Sequence, residues 1–408
     1  MNFVRICCNR LSRIALTSCI MAGFLFSALV EEKSLANDVS EDLFIYLPLV
    51  MQTYDPSTTW LAPSSVDLEP RPNNAPLAVI DHQGRLHLLW DTFTDPRFIY
   101  HTIQSGNGWT TPAPVASSIG TSYTLYAPYV DSNGNIQLVW RNWLGAGIEN
   151  PYRLLYSSFN GNEWTPEEEV VRSTYELQAM VHSGDVGDVH VTYAGSIFFT
   201  KIYHTIRSQT GWSAPVEVKP VHTTSLIWPS MQGGIHLYGD DYSGSVHYSY
   251  WKNGGFEVND RTIAGRVYGR KSVLDGVNNL HLYWVGQIPI PGGQVTGVYH
   301  QCLENNQFFQ PQETPSGVQA ISGNVASASD QTTRIGLSWK ETNSGRFRLA
   351  TWDGCGPAGV RTIPFPDELN LEMTSLAMSA NPGKVCAVAR ALYTTTHVVV
   401  CADVQKQY

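Results

Sequence analysis

Charge is scarce in this sequence: Asp, Glu, Lys and Arg make up only 15% of its 408 residues, and the formal balance is -9. No block of lysine or arginine interrupts that acidity, so the electrostatic footprint that nucleic acid requires is missing and that partner is excluded. Disorder is excluded as well, because 43% of the residues are hydrophobic. The chain has seven cysteines, and no Cys-x-x-Cys pair or Cys/His cluster has the spacing of a zinc site. Neither a metal nor a cofactor is expected. What is abundant is aromatic and glycine: 12 Trp, 20 Tyr and 34 Gly. Short aromatic strands punctuated by glycine turns suit that composition better than helices do.

The first 36 residues read as an address. Arg5, Arg10 and Arg13 precede an apolar run from Ile14 to Val30, and Ser34-Leu35-Ala36 supplies small residues at a cleavage position. Cleavage near Ala36 is expected, leaving a leader over 37–56 and a mature protein that is secreted or held at the cell surface. The alternative is an uncleaved anchor, since the run approaches the roughly 18 residues of a spanning helix. Membrane contact is expected only through that segment. Four cysteines remain beyond it: Cys302, Cys355, Cys386 and Cys401. Cys386 and Cys401 are symmetric about Tyr393-Thr394, a hairpin tip, and are expected to pair across the strands. Cys302 with Cys355 is the weaker pairing. Residues 43–51 form an apolar segment to which no role is assigned.

One phrase organises the rest: a turn, then an alternating strand that ends in an aromatic. It appears as Leu86-His87-Leu88-Leu89-Trp90, Ile136-Gln137-Leu138-Val139-Trp140, Val189-His190-Val191-Thr192-Tyr193, Ile235-His236-Leu237-Tyr238, Leu280-His281-Leu282-Tyr283-Trp284 and Ile335-Gly336-Leu337-Ser338-Trp339. A faint seventh copy is Cys386-Ala387-Val388-Ala389-Arg390. The copies recur at intervals of 45 to 55 residues, a propeller period. A strand such as Leu77–Ile80 precedes the phrase. After it come a third strand such as Ile202-Tyr203-His204-Thr205 and an outer one opening with Trp and Pro, as in Trp164 and Pro166. Trp60-Leu61-Ala62-Pro63 has outer-strand spacing with no earlier strands before it, while the C-terminus supplies three strands and no fourth. Joining them predicts an all-β, seven-bladed β-propeller of four-stranded blades over 57–408, closed by an N-terminal strand that completes the C-terminal blade. A monomer is expected.

The order Gly-x-Leu-His-Leu-x-Trp, Tyr-His/Ser-Ser/Thr, turn, Trp-Ser/Thr-x-Pro resembles the repeats of the sialidase superfamily, and more closely its non-catalytic relatives, including bacterial propeller lectins. The turns that would be Asp-boxes are shortened and lack the Asp, as in Ser105-Gly106-Asn107-Gly108-Trp109 and Asn160-Gly161-Asn162-Glu163-Trp164. The resemblance implies three carboxylate-clamping arginines, a Tyr–Glu nucleophile and an Asp acid/base in the enzymes. Glu69-Pro70-Arg71-Pro72 only partly matches the first arginine phrase, and no catalytic residue is carried over.

In a propeller, ligands meet the loops between second and third strands and the blade-to-blade connections. Candidates for that face are Arg71, Asp91, Arg141, Trp143, Trp228, Asp241, Tyr242, Arg270, Lys340 and Glu341. Aromatics beside charged hydrogen-bonding groups suit sugars, whose apolar faces stack and whose hydroxyls take planar polar partners. His87, His190, His236 and His281 fall at equivalent positions of separate blades, so packing with a local hydrogen bond is expected rather than a shared metal. A glycan or glycoconjugate is the expected partner. The alternatives are a divergent sialidase-like exo-glycosidase or polysaccharide-active enzyme using the same face, and a protein-interaction platform.

Overall fold

The computed structural model describes residues 59–403, apart from 93–96, 107, 116–121, 184–187, 196–200, 219–223, 230–233, 241–245, 265–266, 278, 291–292, 305–306, 310–311, 314–320, 330–332, 342–343, 357–358, 367–369, 381–382 and 392–393. The described residues contain strands and no helix, in seven antiparallel sheets that are the seven blades of a propeller. The expected signal segment and leader lie outside them.

Blade 1 runs outward through Leu77–Ile80, Leu86–Asp91 and Ile99–Ser105 to an outer strand in two pieces, Gly108–Trp109 and Ala113–Pro114. Proline in the outer strand removes no needed ladder bond. Blade 2 is Ser122–Leu125 with Tyr129–Val130, then Ile136–Trp143, Tyr152–Phe159 and Glu168–Ser173. Blades 3 to 6 repeat the order, opening on Leu177–Ser183, Thr224–Pro229, Val267–Leu274 and Ile321–Ser329. Blade 7 consists of Leu371–Ala380, Gly383–Ala391 and Thr396–Asp403, completed by the N-terminal pieces Thr59–Trp60 and Ser64–Asp67. The closing register sets Thr59 opposite Asp403 and Ser64 opposite Val399. Closure removes the two unpaired sheet edges an open ring would carry.

Both faces of a blade are buried, because each packs against a neighbour. Along the second strand of blade 1, Leu86, Leu88 and Trp90 join Val388 and Val399 of blade 7 in one apolar cluster. Leu89, on the other face, joins Leu138, Trp140 and Leu155 of blade 2. Trp90, Trp140 and Trp339 are fully buried in such seams, where truncation to Ala costs about 3–5 kcal/mol. At the centre the inner strands leave a channel of about 270 Å³, lined by residues such as Ala78, Tyr129, His182, Ser272 and Ser375.

The polar positions of the repeat close the turns. Asp81, Asp131 and Asp275 begin the turn between inner and second strands, and each accepts backbone N–H bonds from residues two and four positions on. The other carboxylate oxygen accepts from the side chain six positions on: His87, Gln137 or His281. Gly84 and Gly134 stand three residues after their aspartates at φ +74 and +85, where a side chain would be strained. On the third strand, Thr102, Ser157 and Thr205 donate to the carbonyls of Thr110, Thr165 and Ser213, just past the outer tryptophan.

The histidines are therefore wired within and between blades. Trp164 Nε1 of blade 2 donates to His101 Nδ1 of blade 1 at 3.2 Å. His101 must then carry its proton on Nε2, which it donates to His87 Nδ1 at 2.8 Å. His87 in turn donates from Nε2 to Asp81 Oδ2 at 3.0 Å. Every donor in the relay is fixed, and both rings are neutral. Burial pushes His101 down to about 3, and His87 and the Arg85 charge further disfavour a proton there. His190 with His204 and His281 with His300 pair the same way, at 3.1 and 3.0 Å, and His236 meets the Tyr248 hydroxyl at 2.8 Å.

Both disulfides form. Cys386 and Cys401 are direct cross-strand partners in blade 7, with Cα atoms 4.1 Å apart. Cys302 and Cys355 join the third strand of blade 5 to the turn after the third strand of blade 6, with Cα atoms 5.4 Å apart.

Candidate functional site

The second strand of blade 2 continues past its aromatic to Trp143, so Arg141 and Trp143 lie on a strand rather than on the expected loop. The paired rung continues with them: Trp143 stands opposite Tyr152, the first residue of the third strand. Both rings are half-buried at the loop end of the blade. Leu144 to Pro151 then cross the gap through Gly145 and Gly147, both at positive φ.

Alternation sends Val139, Arg141 and Trp143 to the side that faces blade 3. There Arg141 donates to Glu176 and to the Leu177 carbonyl, where blade 3 begins, and its Nη2 reaches Thr124 Oγ1 at 2.8 Å. Its guanidinium lies 5.8 Å from the centre of the Tyr152 ring. The Tyr126 hydroxyl donates to the same Leu177 carbonyl, and burial pushes that phenol well above its usual range. Tyr175 and Ile148 are exposed nearby in sequence, at 47% and 45%. The seam between blades 2 and 3 thus offers half-exposed aromatic rings beside an arginine already fixed by a carboxylate, a carbonyl and a hydroxyl.

The other candidates are more dispersed. Asp91, also a strand residue, is fully buried and accepts from Asn73 Nδ2 at 2.8 Å and Asn74 Nδ2 at 3.2 Å. Burial pushes its carboxyl up, against those two hydrogen bonds. Arg71 is exposed on the connection into blade 1, whose Pro70 carbonyl accepts from the Trp90 indole at 2.8 Å. Lys340 repeats the role of Arg141 in blade 6: its Nζ donates to the Leu371 carbonyl that opens blade 7, at 2.8 Å, and lies 5.4 Å from the Phe347 ring centre. Glu341 is buried and held by Arg348 Nε at 2.7 Å and by Ser344. Trp228 and Arg270 lie on the inner strands of blades 4 and 5, with side chains outside the described set. Asp241 and Tyr242 are outside the described residues altogether. Of the ten, Arg141 and Trp143 share one side of one strand at the loop end of blade 2, Lys340 and Glu341 are consecutive on the second strand of blade 6, and Arg71 adjoins the Pro72–Thr92 bridge beside Asp91.

Sequence reasoning passed over Asn142, Glu169 and Arg172. Arg153 Nε donates to Glu169 Oε2 at 2.9 Å, and Arg172 Nε to Glu169 Oε1 at 2.7 Å. Burial pushes the Glu169 carboxyl up, but the bonds and charges of Arg172 and Arg153 outweigh it and hold the group below its usual range. The available signal for Asn142 was its position: a lone amide following Ile136, Leu138 and Trp140 on an otherwise apolar strand face.

No family model matches the chain, and no curated protein matches it. Among solved structures the chain is similar to AofleA from Arthrobotrys oligospora, at 12% identity and TM-score 0.47, covering 75% of this chain and 90% of that one. It is similar to an α-L-arabinanase from Penicillium chrysogenum solved with arabinobiose, at 11% identity and TM-score 0.47, covering 84% and 98%. A third is the Aleuria aurantia lectin, described as a six-bladed propeller with a novel fucose recognition mode, at 14% identity and TM-score 0.44, covering 76% and 99%. With identities and TM-scores this low, the functional reading rests on the chain's own residues.

Proposed function

We propose that this chain is an exported carbohydrate-binding propeller of the sialidase-like kind, and that it holds its glycan at the loop end of blade 2. The observation that carries the reading is the Trp143–Tyr152 rung beside the braced Arg141. Aromatic rings that remain half-accessible at the end of a rigid strand stack on the apolar face of a sugar, and the fixed guanidinium offers planar donors to its hydroxyls. Because strand pairing and bonds within the protein already set these groups, little ordering entropy is lost when a ligand arrives. Export rests on the order of arginines, apolar run and small residues at the N-terminus.

The test is a glycan array with the mature protein, followed by titration of each hit against Trp143→Ala. Loss of about tenfold in affinity is expected, the equivalent of about 1.4 kcal/mol. An array without hits, or a Trp143→Ala protein that binds as tightly as the parent, overturns the reading. Turnover of a fluorogenic sialoside that disappears in Arg71→Ala or Arg270→Ala would replace it with a divergent sialidase.

A further inference from the structure

The opposite face of the same blade carries a second polar arrangement. Tyr123, Asn142, Arg153 and Arg172 stand in register across all four strands: Asn142 pairs with Tyr123 on one side and Arg153 on the other, and Arg153 pairs with Arg172. Residues paired across strands share a face, and this one faces blade 1, since Leu138, Trp140 and Leu155 pack there against Leu89. The row is graded from solvent inward. The Arg172 side chain is 49% exposed and that of Arg153 20%, while Asn142 is 0% exposed.

Two features of the row are unexplained by the fold. Among the described residues neither the Nδ2 nor the Oδ1 of Asn142 has a hydrogen-bond partner, although leaving a buried polar group unsatisfied costs about 1–3 kcal/mol. The Trp140 indole N–H, two residues back on the same face, also has no partner among the described residues. The second feature is the guanidinium pair. Each arginine bonds Glu169 through Nε, and among the described residues the Nη groups of both remain as donors on a pair that one carboxylate has locked side by side. Two arginines and one glutamate leave a net positive charge in a protein whose overall balance is -9. Glu168 does not offset it, because its two oxygens are taken by Arg207 of blade 3, at 2.7 and 2.5 Å. Asp91, on the side of blade 1 that faces this row, has its oxygens occupied by Asn73 and Asn74.

We propose that Arg153 and Arg172 form an oxyanion site that makes this propeller select acidic saccharides, those bearing a carboxylate or a sulfate ester, over neutral ones. The proposal rests on the glycan reading and adds the substrate class. Guanidinium forks match planar carboxylates and sulfate faces with paired, charge-assisted bonds. The Asn142–Arg153 rung lies one residue inside the Trp143–Tyr152 rung on the two central strands. A saccharide draped over the end of blade 2 can therefore stack on one side and place its acid group on the other.

The test is calorimetric titration of the mature protein with three oligosaccharides of equal length: an oligogalacturonate, a sulfated but uronate-free galactan fragment, and a neutral cello-oligosaccharide. At least one acidic probe should bind about tenfold or more tightly than the neutral one, and more weakly as salt rises. Comparing the carboxylate and sulfate arms tells which group the site prefers. Arg172→Gln, on a half-exposed side chain, should remove that preference without shifting the melting temperature, and Arg153→Gln should do the same. Equal binding of acidic and neutral probes, or an unchanged preference in both variants, overturns the proposal. If Trp143→Ala abolishes all binding while Arg172→Gln changes nothing, the glycan reading stands and the oxyanion site falls. If no saccharide binds, yet sulfate ion raises the melting temperature of the parent and not of Arg172→Gln, the site stands and the glycan reading falls.

Discussion

Acidification from pH 7 to pH 5 should unfold the ring through its interior histidines. Burial is the first cause in each case, and it lowers His101 and His236 from 6.5 to about 3 and His204 and His397 to about 4. The folded values lie below the unfolded one, so the unfolded chain takes up protons that the folded chain refuses. The stabilisation is complete above pH 6.5 and is lost as pH falls toward the folded values. Near pH 5.5 each of the four would contribute about 0.9 of a proton, a combined slope of roughly 4–5 kcal/mol per pH unit. Set against a typical total of about 5–15 kcal/mol, one to two pH units below 6.5 should exhaust it. His87 and His300 are lowered too and add to the slope. Asp81 does not account for this window: its carboxyl, raised by burial but lowered further by His87 and Arg85, stays ionised to far lower pH. The assay is urea unfolding followed by tryptophan fluorescence at half-unit steps from pH 7 to 5 and constant ionic strength. In His101→Gln, an amide that can still accept from Trp164 and donate to His87, the slope should fall by about 1.2–1.4 kcal/mol per pH unit. A stability that varies by less than about 1 kcal/mol per unit over this range refutes the reasoning.

Three further outcomes are expected. Replacing Cys386 and Cys401 together by Ala should cost up to about 3 kcal/mol for the lost cross-link, whose cysteines lie 15 residues apart; alkylation of both thiols in unreduced, denatured parent protein would show that no bridge was there to lose. Deleting residues 57–66 strips the N-terminal edge from the third strand of blade 7 and should destabilise every blade together; a truncated protein that melts like the parent contradicts the closure. N-terminal sequencing of exported protein should read from just after Ala36, and material still beginning at Met1 would rule out cleavage.

The ring could be read in advance because its information is periodic. A strand phrase repeated at blade spacing fixes seams and sheet order together, and the incomplete ends, Trp60 at one side and Thr396–Asp403 at the other, demanded each other. Cys386 and Cys401 were equally legible, since hairpin symmetry sets which residues face. The binding face was legible only as a region. Whether Arg141 or Lys340 meets a ligand depends on the next blade, whose Leu177 and Leu371 carbonyls receive them, and no local pattern announces a partner about 31 to 36 residues away in sequence. Arg172 was hidden for a different reason: it sits inside an outer strand, where an arginine looks like ordinary solvent-facing polarity until Arg153 is found opposite it.

The pairing of Thr59 with Asp403 has a consequence for how the chain could be drawn. Thr59 and Asp403 lie on adjacent strands in register, so a short linker between them would close residues 59–403 into a covalent circle without bending any blade. A circular chain has no preferred starting point. Opened at the connection between blades 3 and 4, it would begin with blade 4, end with blade 3, and assemble blade 7 from consecutive strands like its six neighbours. In this sense the N-terminal strand of the ring is a choice of phase in the order of its strands.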